Sequence, residues 1–238
     1  MRALLLDLDD TLLDYSGGAE TCWSEACASA AGSLDQARLV EILTACRRAF
    51  WDDPERQRRE RVHMLRAWTQ IAASALETYG APAPELAAAI AADFSARRRA
   101  IMALFPETLA CLTALRAAGV PMALVTNGDA TEQRWKIERC ALAPFFGAIV
   151  IEGEVGAGKP DAVVYRTALK ALGVEPGPDV WMVGDHLEFD VAGAQRFGLR
   201  GVWVDRAGVG LPPAATVRPD RIVRALDEFV RTFATLPP

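Results

Sequence analysis

The sequence predicts an α/β fold, a parallel β-sheet with helices on both faces, interrupted after its first strand by an all-helical insert. Three observations carry that expectation. Beyond residue 106, short apolar runs alternate with segments of helical periodicity, the pattern of βαβ units. At the other end, "ALLLDLDD" (3–10) opens with continuous rather than alternating hydrophobicity, as in a strand buried on both faces. Between them, residues 19–103 are rich in alanine, arginine and glutamate, with apolar residues at helical spacing and no convincing strand.

Taken in order, residues 2–8 form the first strand. Four helices come next, near 19–31, 34–50, 55–79 and 84–103, punctuated by Gly32, Pro54, Gly80, Pro82 and Pro84. "PETLACLTALRAAG" reads as a helix closed by Gly119, and "VPMALVTNG" as a strand ending in a polar turn. Then come a helix near 130–141, the strand "GAIVIEG", a helix over 161–172 ending at Gly173, and the strand "VWMVGD". A helix near 190–197 leads into "GVWVD", a Pro-rich loop spans 207–219, and a last helix lies near 220–233. The expected division is a core of residues 1–15 and 105–238 with a helical domain of 16–104. "DYSGG" (14–18) and "ALFPE" (103–107) are the hinges.

Composition narrows the function classes. A chain of 238 residues, 51% hydrophobic and 24% charged, suits a globular core with a smaller companion. A net charge of −5 gives no general affinity for nucleic acid or an anionic membrane. No apolar run approaches membrane-spanning length, and a first aspartate at position 7 leaves no room for a signal peptide, so a cytoplasmic location is expected. The five cysteines are odd in number with no CxxC pair, which points to reduced thiols. Only His63 and His186 are present, so a Cys/His zinc site is not expected.

In an open parallel sheet, ligands bind outside the carboxyl ends of the strands. The residues just past each strand are therefore informative. Asp7, Asp9, Asp10 and Thr11 come after the first; Thr126, Asn127 and Gly128 after the second; Lys159 lies beyond the third; Asp185 and Asp190 come after the fourth. Singly, each has an ordinary explanation as a helix cap, a turn or a solvated loop, and Asp14 is read as a hinge or capping residue. Together they share one rim. Asp7, Asp9, Asp185 and Asp190 would bring about four negative charges, of which Lys159 offsets one. Such a cluster requires a cation or raised pKa values, and oxygen ligands without cysteine or histidine select a hard ion such as Mg²⁺.

These segments resemble the four motifs of the haloacid dehalogenase superfamily of phosphohydrolases. "DLDDT" matches DxDx[TV], "VTNG" the strand ending in Thr or Ser, "GKP" the lysine motif and "GDHLEFD" the pattern GDxxxxD. The resemblance covers the whole chain and implies a Rossmann-like core with a helical cap domain. It implies that Asp7 is the nucleophile and Asp9 the general acid and base. Thr126, with backbone N–H groups around Asn127 and Gly128, would bind the phosphoryl group, and Lys159 would balance charge. Mg²⁺ would be held by Asp7, Asp185 and the backbone carbonyl of Asp9, with Asp190 orienting Lys159 or a metal-bound water. The implied partner is a small phosphorylated metabolite, and the chain a monomer or homodimer.

Within the family, dehalogenating members resemble DxYxT, whereas position 9 here is an acid, as phosphatases require. Phosphonate cleavage would need a cap lysine, and residues 19–103 contain none. A sugar-phosphate mutase shares the core motifs and stays open. "GEVGAGKP" fits GxxxxGK, but Pro160 stands where a P-loop needs Ser or Thr, and no GxGxxG comes after the first strand. A non-catalytic binding module would be expected to lack Asp7, Asp9 or Lys159. In the arginine-rich segment 47–68, Phe50, Met64, Leu65 and Trp68 are expected to pack inside and most arginines to face solvent, the alternative being that one or two close over an anionic substrate. Arg97, Arg98 and Arg99 carry the same two readings. His63 and His186 are assigned no chemistry. The texture around 127–161 is similar to acylneuraminate 9-phosphatases and pyrimidine nucleotidases, which does not name a substrate.

Overall fold

The computed structural model describes residues 1–233 apart from positions 31 and 33. By contacts the chain separates into two units, Met1–Tyr15 with Ala103–Pro238, and Ser16–Met102.

The chain begins with strand β1 (Ala3–Leu6), whose four residues are fully buried, and then β2 (Leu13–Asp14). The second unit consists of α1 (Ala19–Ala30), α2 (Gln36–Trp51), α3 (Pro54–Glu60), α4 (Met64–Tyr79) and α5 (Pro84–Ile101). Its core stacks Trp23 on Phe94 at 3.7 Å, with Trp68 edge-on at 5.1 Å, among Ala, Leu and Ile side chains of α1, α2, α4 and α5. Aspartates start two of the helices. Asp35 accepts from Arg38 N, and Asp53 accepts from Glu55 N and Arg56 N.

Two expectations for this unit need correcting. The single helix expected over 55–79 is two, broken at residues 61–63 without a glycine or proline to mark the turn. Leu65, expected inside, is 55% exposed: it lies in the first turn of α4, ahead of the buried stretch from Ala67 to Leu76. The end of the expected 19–31 helix, position 31, lies outside the described residues. Several arginines of the unit are structurally engaged. Arg59 and Arg66 pair with the buried Glu60, Arg97 with Asp93 and Glu25, and the buried Arg98 donates to the Gly17 carbonyl at 2.6 Å.

The first unit resumes with β3 (Ala103–Leu104), antiparallel to β2. Then come α6 (Thr108–Ala117), β4 (Met122–Thr126), α7 (Ala130–Arg139), β5 (Ala148–Ile151), α8 (Glu152–Val155), α9 (Ala162–Leu172) and β6 (Val180–Gly184). A π-helical turn, Leu187–Ala192, runs into α10 (Gly193–Arg196), and the chain ends through β7 (Arg200–Val204), β8 (Arg221–Val223) and α11 (Leu226–Val230). The β2–β3 ribbon and β8 are absent from the sequence expectation, and β8 occupies the start of the single helix expected over 220–233.

The six-stranded sheet is parallel throughout, in the order β5-β4-β1-β6-β7-β8. Helices cover both faces, α9 packing on the side of Leu5, Ala123, Val125 and Met182, and α6 against α11 on the other. The expected fold class is thus the observed one. The strand order reverses at β1, which places its carboxyl end between those of β4 and β6 and opens a crevice there. Among the described residues no helix is long and apolar enough to cross a membrane.

Candidate active site

Asp7 leaves the end of β1 as a buried residue, its side chain 9% exposed. Its backbone N–H continues the ladder to Val183 O, so its position is fixed by sheet hydrogen bonding. Lys159 Nζ lies 2.5 Å from Asp7 Oδ1 and 2.7 Å from Asp190 Oδ1, with the ammonium almost wholly buried. Asp190 is held from its other oxygen by the His186 N–H at 2.9 Å, and Thr11 Oγ1 lies 3.4 Å from Asp7 Oδ2. Carboxylate oxygens of Asp7, Asp185 and Asp190 all lie within 4.8 Å of one another.

Electrostatics follow from this crowding. Burial pushes the Asp7 carboxyl up, against the pull of Lys159 and with a push from Asp190, to about 7. Burial, then the charges of Asp7, Asp190 and Asp10, raise Asp185 to about 9. Burial alone would lower the Lys159 ammonium, but Asp190 and Asp7 outweigh it and hold it well above its ordinary range. The cluster is short of positive charge.

Asp9, two residues on, turns to different partners. Lys136 Nζ stands 2.8 Å from both of its oxygens, and Gln133 Nε2 stands 3.0 Å from Oδ2. The Asp9 side chain, expected to serve as acid and base rather than as a ligand, stands outside the carboxylate triad, whose third member is Asp190, expected from sequence only to orient Lys159 or a metal-bound water. Thr126 ends β4, 2% exposed, and its Oγ1 accepts from Gln133 Nε2 at 2.6 Å. Asn127 clasps the backbone of Lys159, accepting from its N–H at 2.7 Å and donating to its carbonyl at 2.9 Å. This ties the β4 loop to the lysine loop. The Gly128 N–H, expected to face a phosphate, donates to Glu152 Oε2 at 2.9 Å.

The structure thus brings Asp7, Lys159, Asp185 and Asp190 into one cluster and joins Asp9, Thr126 and Asn127 into a hydrogen-bonded chain through Gln133. Gln133, Lys136 and Glu152 are not among the site residues expected from sequence. Glu152 is within reach of the rim rule, since it comes directly after β5. Gln133 and Lys136 are three apart on α7, a spacing that shares a helix face, but only the helix rotation set by the Asp129 cap shows which way that face looks. His186 is a capping residue, its Nδ1 accepting from Glu188 and Phe189 N–H groups at 3.2 Å, and Asp14 is an exposed residue of β2.

The chain is similar in sequence and in fold to known proteins. The chain is 37% identical over 235 residues to phosphoserine phosphatase of Thermus thermophilus, covering 90% of this chain and 91% of that one. It is 40% identical over 129 residues to N-acylneuraminate-9-phosphatase of Rattus norvegicus, covering 54% and 51%. Among solved structures, YfnB of Bacillus subtilis, bound to magnesium, shares the fold with a TM-score of 0.75 at 20% identity, covering 97% of each chain. Residues 1–198 match the model of the haloacid dehalogenase-like hydrolases, and the chain belongs to that family of enzymes.

Proposed function

We propose that the protein is a Mg²⁺-dependent phosphohydrolase that cleaves a small organic phosphate monoester through a phosphoryl group carried on Asp7. The observation that supports this most is the buried Asp7 carboxylate, held by one lysine within a triad of carboxylates. The relatives' names, phosphatases of phosphoserine and of N-acylneuraminate 9-phosphate, favour the same substrate class. The helical unit is read as the cap that the family pattern implies.

The residues fit the metal. Three carboxylates face one ammonium, two of them with proton affinities raised by burial, and every donor is oxygen. Asp7, Asp185 and Asp190 are the side chains available to hold it, with the Asp9 carbonyl beside them by family resemblance. When bound, Mg²⁺ supplies positive charge against the phosphoryl oxygens.

The chain's own groups do the rest. Asp7 Oδ attacks phosphorus as the bond to the leaving oxygen breaks, and Asp9 gives that oxygen a proton. Asp9 then takes a proton from water, whose oxygen displaces Asp7 from phosphorus and releases inorganic phosphate. Thr126 donates its hydroxyl hydrogen to a phosphoryl oxygen, and Lys159 favours the ionised form of Asp7 and orients it. Release of p-nitrophenol from p-nitrophenyl phosphate tests this directly. EDTA should abolish it, Mg²⁺ should restore it, and Asp7→Asn should show none; activity surviving either treatment overturns the assignment.

A further inference from the structure

Gln133 and Lys136 face Asp9 from the same side of α7. The Lys136 side chain is only 4% exposed, its Nζ bridges both Asp9 oxygens at 2.8 Å, and the Tyr15 ring lies 4.0 Å from it. Gln133 Nε2 reaches Asp9 Oδ2 at 3.0 Å, Thr126 Oγ1 at 2.6 Å and Asn127 O at 2.9 Å. The Asn127 carbonyl oxygen only accepts, so the amide must present its nitrogen, and Thr126 must accept from it. That leaves the threonine's own hydrogen to donate, which in this structure it does to the Asn127 carbonyl at 3.3 Å. A buried ion pair is weak evidence for stability, because an apolar pair of similar volume often serves as well.

We infer that Lys136 and Gln133 are positioning residues that fix the Asp9 carboxyl group for proton transfer to the leaving oxygen, Gln133 coupling it to the phosphate-binding Thr126. The inference rests on the phosphohydrolase assignment. In the step concerned, the phosphorus–oxygen bond to the leaving group breaks, the bond to Asp7 forms, and the leaving oxygen takes its proton from a protonated Asp9, leaving the carboxylate that Lys136 and Gln133 hold. A leaving group that departs as a stable anion needs that proton little; an alkoxide needs it greatly.

The test compares kcat/KM, which ends at leaving-group loss, for p-nitrophenyl phosphate and for the best alkyl monophosphate of a panel of sugar and hydroxyacid phosphates. Lys136→Met should lose on the order of 10²-fold on the alkyl substrate, within the range of general acid catalysis, and only about threefold on the aryl one. Gln133→Leu should lose in the same direction, and Lys136→Arg should recover part of the alkyl activity. Circular dichroism and the melting temperature report whether each variant folds; if Lys136→Met does not fold, Lys136→Gln and Gln133→Leu carry the same comparison. Equal losses on both substrates, or none, overturn the inference while leaving the hydrolase assignment standing. A wild-type enzyme inactive on both substrates overturns the assignment, and the inference with it.

Discussion

At Lys159 one buried ammonium pairs with two buried carboxylates, Asp7 and Asp190. Replacing it with methionine keeps the stem but leaves both acids uncompensated. Breaking a buried pair in this way costs about 3–5 kcal/mol, so Lys159→Met should lower the urea midpoint by that equivalent and lose hydrolysis. Asp7→Asn removes a carboxylate from the same crowded cluster. Its melting temperature should hold or rise while turnover vanishes, and a variant that is inactive because it is unfolded would argue for a structural Asp7 instead. The residues of this cluster are legible in the sequence because Asp7, Thr126 and Asp185 each sit at or directly after a strand end, with Lys159 and Asp190 a few residues past one, and strand ends are readable from hydrophobic runs. Gln133 and Lys136 are not, because a helical side chain's direction depends on rotation about the helix axis, which spacing alone leaves open.

Among the elements, the approach of the α8 start to the β4–α7 loop is set by a glycine. A Cβ on Gly153 would lie 2.6 Å from Ala130 N and 3.0 Å from Gly128 O, both backbone atoms that can yield only by moving the loop. Gly153→Ala should therefore shift the segment carrying Thr126–Gly128, lowering stability by about 1–3 kcal/mol, as overpacking does, and kcat/KM by about tenfold or more. Calorimetry and steady-state kinetics on the one variant check both. The core strands are legible because burial on two faces demands continuous apolar runs, as in Leu4–Leu6 and Met122–Val125. The edge strand β8 is not. Its three residues include exposed Arg221 and Ile222, too short and too mixed to show a period. The break between α3 and α4 is hidden for a related reason, since its residues 61–63 include no conformational specialist.

For the molecule as a whole, the crowded carboxylates link folding, pH and metal. Asp7 and Asp185 have folded pKa values raised from 3.8 to about 7 and about 9. A raised acid binds more protons folded than unfolded, so its stabilisation is complete below the unfolded value and is lost as pH rises through the folded one. In EDTA the melting temperature should fall between about pH 6 and about pH 9. A divalent cation displaces those protons, so the Mg²⁺-induced rise should be larger near pH 8 than near pH 6. A Mg²⁺ shift that is absent, or independent of pH, would count against metal binding at the triad. The most direct measurement is mass spectrometry of enzyme acid-quenched during turnover of p-nitrophenyl phosphate. One phosphoryl group should appear on the peptide that carries Asp7, labile to hydroxylamine and missing from Asp7→Asn. Turnover with that peptide unmodified, or with the phosphoryl group on another side chain, would contradict it.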